Sequence, residues 1–230
     1  MPVSLRAPEP SGRTLRRYYQ RLRRHFGPQH WWPARTRFEV ILGALLTQNA
    51  SWTNVEKALG NLRRAGVLAP AALRRLSAAR LARLLRPTGY FRQKTRYVRS
   101  FLGHLERSYR GSLRRMLGRP TPTLRQELLQ LPGMGEETVD SILLYAAERP
   151  VFVIDTYTRR VLSRHGLASL QAPYGELQSF FERHLPQDPA LYNEYHALLV
   201  AVGKNYCHRA RPDCGACPLG IELEPAHARA

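Results

Sequence analysis

Lysine is scarce in this basic chain. Only three of its 36 basic residues are lysines, namely Lys57, Lys94 and Lys204, and the others are arginines. Acidic residues number 17, so the formal net charge of the 230 residues is +19. A high genomic GC content would favour arginine over lysine, but it would not favour bases over acids. The excess of basic residues predicts a polyanionic partner, and nucleic acid is the first candidate. The scarcity of lysine limits any amine chemistry to three side chains.

Long apolar runs are also absent from the sequence. No stretch approaches the roughly 18 apolar residues of a membrane span, and the N-terminus has no apolar segment of the signal-peptide type. We therefore expect neither secretion nor a membrane partner. The expected location is the cytoplasm, in association with the nucleoid, and the expected oligomeric state is a monomer. Residues 1–12 are predicted to be a flexible lead-in.

Strand-like alternation is missing from almost the whole chain, and only VFVI at 151–154 is predicted to be extended. Apolar residues recur instead at helical spacing, as in Leu15, Tyr18, Leu22 and Phe26. About ten short helices joined by short loops predict an all-α fold. A second apolar face is formed by Phe38, Ile41, Leu42, Leu45 and Leu46, and a third, which begins near Ser51, by Val55, Ala58, Leu59 and Leu62. The later predicted segments are 70–76, 78–86, 93–108, 123–130, 137–148, 156–165, 173–185 and 190–203.

Residues 123–148 are predicted to form two helices joined by the glycine turn LPGMG. Gly133 and Gly135 lack Cβ, so the turn can bend sharply and a partner can approach its backbone. The N–H groups at the start of the second helix would then suit a phosphate. On physical grounds alone, a phosphate site and a plain helix–helix turn explain this pattern about equally well.

Two further features, a carboxylate and a group of cysteines, are candidates for catalysis or metal binding. Asp155 follows the extended tetrapeptide and is predicted to cap the next helix, a role compatible with facing a substrate. The cysteines have the spacing Cys207-x6-Cys214-x2-Cys217. Three thiols within eleven residues favour binding of a metal or cluster over disulfides.

These motifs together resemble the helix-hairpin-helix DNA glycosylases of the endonuclease III superfamily, over residues 17 to 217. Four segments are most similar to the 3-methyladenine DNA glycosylase III branch, namely HWWP at 30–33, LGALLTQNASW at 42–52, RPTGYFRQK at 86–94 and GMGEETVDSILLYA at 133–146. The cysteines are instead similar to the iron–sulfur loop of endonuclease III.

The resemblance implies two helical lobes with a DNA-binding cleft between them. One is a helical barrel domain at 34–150, which contains the helix-hairpin-helix at about 123–148. The other is a discontinuous domain of residues 13–33 plus 151–223, which contains the cysteine cluster. We expect Asp155 to lie in the cleft and to face the hairpin.

The implied activity is that of a DNA N-glycosylase of base excision repair. Asp155 corresponds to the family's catalytic carboxylate, which stabilises the oxocarbenium-like charge on the sugar. Some members place a Schiff-base lysine where this chain has Glu137, so we expect a monofunctional enzyme with weak or absent lyase activity. Glu137 is kept as a second pocket carboxylate, whereas Glu136 is assigned to the helix dipole.

The resemblance also implies how damaged double-stranded DNA is bound. Trp52 corresponds to the aromatic that stacks on the flipped base, with Trp31 and Trp32 in the pocket wall. A cation–π slot of this kind favours alkylated purines. Gln48 corresponds to the residue that plugs the vacated stack, and Tyr90 to the wedge. Phosphate contacts are predicted for Arg92, Lys94, Arg159, Arg160 and Lys204.

The fourth cysteine of the endonuclease III loop is Leu223 in this chain. We expect a structural [4Fe–4S] cluster with three cysteine ligands and an unidentified fourth, and Cys₃His zinc is the alternative. Candidates for the fourth ligand are His208, Asp213, Glu222, Glu224 and His227. Two alternatives for the function stay open: an endonuclease III-type glycosylase for oxidised pyrimidines, and a non-catalytic relative that binds damage.

Overall fold

A computed structural model describes residues 12–32 and 34–223 of the chain. Within those ranges the chain forms α-helices and no β-strand, which confirms the predicted all-α class. The helices are α1 (Gly12–Phe26), α2 (Arg37–Leu46), α3 (Trp52–Arg64), α4 (Pro70–Arg75), α5 (Ala78–Leu85), α6 (Phe91–Tyr109), α7 (Leu113–Leu117), α8 (Thr121–Leu129), α9 (Glu136–Ser141), α10 (Thr156–Arg164), α11 (Tyr174–His184) and α12 (Pro189–Asn205). Nearly all of the predicted lead-in lies outside the described residues.

The chain divides into two compact units. The central unit comprises residues 32–149 and therefore contains α2 to α9. The terminal unit comprises the segments up to residue 31 and from residue 150 onward, and it contains α1 and α10 to α12. No helix of the described residues combines the length and the apolarity that crossing a membrane requires.

Helix α2 lies at the centre of the core of the central unit. Every residue from Phe38 to Leu46 is buried, so the helix is enclosed on all sides, in keeping with its nearly uniform apolar sequence. Thr36 caps its N-terminus, because its hydroxyl oxygen accepts a hydrogen bond from the backbone N–H of Glu39. The packing of α2 against α3, α6 and α9 fixes the chain that leaves its C-terminus at Thr47.

Helix α12 has the corresponding position in the terminal unit, where it packs against α1 and α10. A Cβ atom on Gly203 of α12 would lie 2.4 Å from Cδ1 of Tyr157 on α10. This contact leaves no space for a larger residue, so glycine sets the close approach of the two helices. That approach determines which side chains of α12 meet the N-terminus of α10.

The helix predicted at 137–148 changes its form along its length. Helix α9 ends at Ser141, and Ile142–Ala146 continue as a π-helical turn. Such turns are frequent at functional sites. Helix α7 was not predicted, because five residues are too few to show a helical period. Residues 151–155 lie outside any helix and form no strand within the described part of the chain.

Candidate active site and nucleic-acid interface

Asp155 is buried at the N-terminus of α10, with 7% of its surface exposed. Its Oδ1 accepts a hydrogen bond of 2.7 Å from the backbone N–H of Thr158, so the predicted capping role is observed. Its Oδ2 lies 3.6 Å from Nε2 of His196 on α12. Both carboxylate oxygens therefore have a fixed neighbour, which sets the orientation of the group.

The electrostatic surroundings of Asp155 favour its ionised form. Burial, the largest influence, by itself raises the pKa of this carboxyl group. Attraction to His196 and the hydrogen bonds from Thr158 outweigh burial and hold the pKa below its ordinary value. Sequence reasoning missed His196, because a lone histidine within the apolar run HALLVAV is more often a core residue.

The glycine turn between α8 and α9 has two glycines with different surroundings. Gly133 has a φ of 78°, and a Cβ atom there would lie 2.3 Å from the ring of Tyr97. Gly135 has an extended backbone and open space where a Cβ atom would be. The fold therefore requires glycine at 133, whereas the space beside Gly135 is available to a partner.

An ion pair holds the two helices of the hairpin together. The guanidinium of Arg125 on α8 donates to both carboxylate oxygens of Asp140 on α9, at 2.7 and 3.0 Å. Asp140 is fully buried, so this bidentate contact compensates a desolvated charge. Glu136 also lies near Arg125, at 3.4 Å. Glu137 is exposed in the first turn of α9, and its role as a second pocket carboxylate stays a prediction.

Two of the three predicted pocket tryptophans lie together in the central unit. The rings of Trp32 and Trp52 meet edge to face, with centroids 5.1 Å apart. Tyr145, from the π-helical turn, packs against Trp32 with the same centroid separation. A Cβ atom on Gly43 would lie 2.9 Å from Trp32, so α2 accommodates the indole at a glycine. Sequence reasoning missed Tyr145, because its position depends on the π-helical turn.

Trp31 belongs to the terminal unit rather than to this aromatic cluster. The ammonium group of Lys204 lies 5.7 Å from the centroid of its ring. This distance is within the range of a cation–π interaction. All three tryptophans are partly exposed, so none is an ordinary core residue.

Gln48 lies in the loop before α3, and Tyr90 lies directly before α6. The side-chain amide of Gln48 donates to the carbonyl oxygen of Gly133 at 2.6 Å and to Oγ1 of Thr138 at 3.0 Å. Tyr90 is 70% exposed and adopts a left-handed backbone with a φ of 42°. An exposed aromatic on a strained backbone is unusual for a side chain without a binding partner. The plug and wedge roles stay predictions.

The predicted phosphate contact of Lys94 is wrong, because this side chain is only 2% exposed. Its Nζ donates to the carbonyl oxygens of Leu46 and Thr88 inside the central unit. Arg160 donates to the carbonyl oxygens of Cys207 and Gly203, and Arg159 donates to that of Ala172. These two guanidinium groups therefore have structural partners, whereas Arg92 and Lys204 are exposed.

The three cysteines are free thiols that line one pocket of the terminal unit. Arg164 lies 3.2 Å from Sγ of Cys207, and a Cβ atom on Gly220 would collide with the carbonyl oxygen of Cys214. Burial is the main cause that raises the pKa of Cys217, and it outweighs the hydrogen bond with the Leu219 backbone, which lowers the pKa. The proximity of the other two thiols raises the pKa further. These soft donors fit an iron–sulfur cluster or zinc in chemical type. Within the described residues, however, no group of three or more potential ligands has the arrangement of a formed metal site.

The candidate fourth ligands differ in their surroundings. Leu223 lines the thiol pocket but has no donor atom, and Asp213 lines it as well. Glu222 forms ion pairs with Arg17 and Arg21 at 2.7 and 2.6 Å. His208 is exposed, and Glu224 and His227 lie outside the described residues. Sequence reasoning missed His165, which also lines the pocket.

Comparison with known proteins identifies the class to which these features belong. Residues 42–187 match the family model described as HhH-GPD superfamily base excision DNA repair protein. The chain belongs to this family, and its enzymatic class is DNA glycosylase. This result confirms the resemblance to the endonuclease III superfamily that the sequence indicates.

Individual relatives agree with the family. The chain is 41% identical over 203 residues to MJ1434 of Methanocaldococcus jannaschii, named as a DNA repair glycosylase, with 87% of this chain and 91% of that protein covered. It is 27% identical over 187 residues to endonuclease III of Thermotoga maritima, with 81% and 82% covered.

Solved structures give the same result. The 3-methyladenine DNA glycosylase MagIII of H. pylori, bound to 1,N6-ethenoadenine, has a TM-score of 0.73 at 27% identity, with 84% of this chain and 96% of that chain covered. A non-covalent complex of endonuclease III with DNA has a TM-score of 0.80 at 21% identity, with 95% and 97% covered. The second match supports the fold alone.

Proposed function

We propose that this chain is a monofunctional DNA N-glycosylase that excises alkylated purines from double-stranded DNA. The observation that carries the proposal is the edge-to-face pair of Trp32 and Trp52. A partly exposed, electron-rich ring in contact with a second indole suits a flipped base with positive charge. The relative from H. pylori binds 1,N6-ethenoadenine, a modified purine, which supports the same substrate class.

Asp155 supplies the charge that this reaction needs. N-glycosidic cleavage builds positive charge on the sugar, and a carboxylate that stays ionised stabilises it. The lowered pKa makes Asp155 a weak base, so we assign it electrostatic stabilisation ahead of proton removal from water. A cationic methylpurine is a good leaving group and needs little acid assistance, which suits a site with one main carboxylate.

The identity of residue 137 supports the absence of lyase activity. A Schiff base requires an amine, and the first turn of α9 contains Glu136 and Glu137 instead. None of the three lysines lies in the hairpin at 123–148. Lys94, which is buried in the central unit, donates to two carbonyl oxygens there. We therefore expect water to be the nucleophile, with an abasic site and the free base as products.

The cysteine loop is proposed to hold a [4Fe–4S] cluster through Cys207, Cys214 and Cys217, and zinc is the alternative. The convergence of three thiols on one pocket supports the proposal. A bound cluster would cross-link the loop after α12 and stabilise it. The cluster itself would take no part in base excision. Asp213 is the candidate for the fourth ligand among the predicted residues that line the pocket.

The proposal is tested with duplexes that carry 3-methyladenine, 1,N6-ethenoadenine or thymine glycol, analysed with and without alkali. We expect free methylated purine, strand breaks only after alkali, and almost no covalent adduct after borohydride. Trp52→Ala should lower single-turnover excision by about 10- to 100-fold, because stacking contributes about 1–3 kcal/mol per base. Unchanged excision by that variant would contradict the pocket assignment.

The same panel separates the alternatives. Excision of thymine glycol with efficient borohydride trapping would indicate an endonuclease III-type enzyme. Tight binding of damaged duplexes without release of any base would indicate a non-catalytic relative. Asp155→Asn is the reference for this last outcome, because the variant should retain DNA binding and lose most turnover.

A further inference from the structure

Lys94 is a buried amine that the glycosylase reaction does not use. It lies in the first turn of α6, and its hydrogen bonds to Leu46 O and Thr88 O are both 2.8 Å long. Burial lowers the pKa of its ammonium group. A buried lysine costs stability unless its N–H groups are satisfied, so these two bonds are the reason that the fold tolerates it.

The two acceptors are both carbonyl groups at the ends of helical segments. Leu46 is the last residue of α2, and Thr88 is the last residue of the 3₁₀ turn Arg86–Thr88. Carbonyl groups at such ends lack helical partners and carry partial negative charge. One ammonium group therefore joins two C-termini from separate parts of the central unit.

Each of these ends is followed two residues later by a side chain predicted to enter DNA. Gln48 lies in the plug loop, residues 47–51, after Leu46, and Tyr90 lies in the wedge loop, residues 88–90. We propose that Lys94 is a positioning residue that holds the plug loop and the wedge loop at a fixed separation. This inference rests on the proposed function, because the plug and wedge roles predicted for Gln48 and Tyr90 exist only in an enzyme that flips a base out of the duplex.

The surrounding contacts show why such a fixed point is needed. Tyr90 and Gly89 both have positive φ values, 42° and 62°, and a non-glycine residue in that conformation persists only where its surroundings hold it. On the other side, the Gln48 amide joins the plug loop to the glycine hairpin through Gly133 O. Lys94 and Gln48 thus connect wedge loop, plug loop and hairpin in series within the central unit.

The decisive variants are Lys94→Met, which keeps the length of the side chain but has no donors, and Lys57→Met as a matched control. Lys57 is exposed on α3, so its variant loses the same charge from the same unit. The measurements are backbone hydrogen exchange, the salt dependence of binding to undamaged duplex, and base flipping followed by 2-aminopurine placed beside the lesion.

For Lys94→Met we expect faster exchange in residues 47–51 and 88–90, and an unchanged salt slope. Flipping and single-turnover excision should fall by about 10- to 100-fold, the range for a misplacement of about an ångström. Lys57→Met should change neither exchange nor flipping. A loss of about one unit in the salt slope, with normal exchange, would instead identify Lys94 as a phosphate contact and overturn the proposal.

A second variant covers the case in which Lys94→Met does not fold. Lys94→Gln keeps N–H donors on a shorter side chain, so it should retain the fold and show smaller changes in the same two loops. Hydrogen exchange does not depend on the substrate. If the wild type excises no base from the panel, the proposed function fails, while the exchange data still decide whether Lys94 holds both loops.

Discussion

At the scale of single residues, the two glycines of the hairpin turn have separable roles. Gly133 needs its positive φ and has no space for a Cβ atom beside Tyr97. A substitution there disturbs the turn itself, so Gly133→Asp cannot report on DNA contact alone. Gly135 has neither restriction, which makes it the glycine that tests whether a partner approaches the backbone.

Gly135→Asp should therefore weaken binding to undamaged duplex by about tenfold or more, because its carboxylate would face a phosphate. Its unfolding temperature should change little. Gly175→Asp is a matched control, because Gly175 also has open space at the start of a helix, α11. Equal DNA affinity of the two variants, measured by fluorescence anisotropy, would count against a phosphate at the hairpin.

The pair of Asp155 and His196 gives a prediction on pH. An aspartate whose pKa is lowered in the folded protein stays ionised above its ordinary pKa of 3.8 and loses its charge only below it. The single-turnover rate of the wild type should thus stay level down to about pH 4. His196→Gln removes the attraction that opposes burial, so its acid limb should move to higher pH.

His184→Gln provides the control for that pH profile. His184 lies on α11 of the same unit, and its Nδ1 is hydrogen-bonded to the carbonyl oxygen of Phe180. This variant should keep the acid limb of the wild type. Coinciding profiles for His196→Gln and the wild type would show that His196 does not determine the ionisation of Asp155.

At the scale of elements, the cysteine loop gives the sharpest test, because one residue departs from the family's pattern. Leu223 lines the same pocket as the three thiols. Anaerobically purified protein should contain iron and sulfide with little zinc, and Cys214→Ala should lose both and unfold at a lower temperature. Leu223→Cys should supply a fourth thiolate and slow the loss of visible absorbance in air.

Metal analysis decides between the two cofactors. A colourless wild type that contains one zinc would overturn the cluster, and equal air sensitivity of the wild type and Leu223→Cys would exclude residue 223 from the ligand set. Both results are independent of glycosylase activity. The cofactor assignment and the substrate assignment are thus tested independently of each other.

Helices with a long apolar period could be predicted from the sequence, whereas contacts that depend on local irregularities could not. Thr36 and Asp155 cap helices as their residue types favour. The π-helical turn that brings Tyr145 to Trp32 has no sequence pattern of its own. The burial of Lys94 could not be predicted either, because the sequence RQK does not indicate that two carbonyl groups lie within reach of the ammonium group.

At the scale of the whole molecule, the formal charge of +19 is the property most directly linked to DNA. Its distribution matters more than its size, because part of it is engaged inside the protein. Arg160 and Arg125, for example, donate to carbonyl or carboxylate groups of their own unit. Only the remaining exposed charges can release counterions from phosphates.

Binding to undamaged duplex should therefore weaken by about 10³-fold or more between 50 and 200 mM salt if roughly six phosphates are neutralised. Arg92→Ala should reduce the slope of log K against log salt by about one unit, because Arg92 is exposed at the start of α6. Arg160→Ala should leave the slope unchanged and lower the unfolding temperature, because its partners are the carbonyl oxygens of Gly203 and Cys207. If Arg160→Ala instead reduced the salt slope and Arg92→Ala did not, the internal hydrogen bonds of Arg160 would have to break when DNA binds.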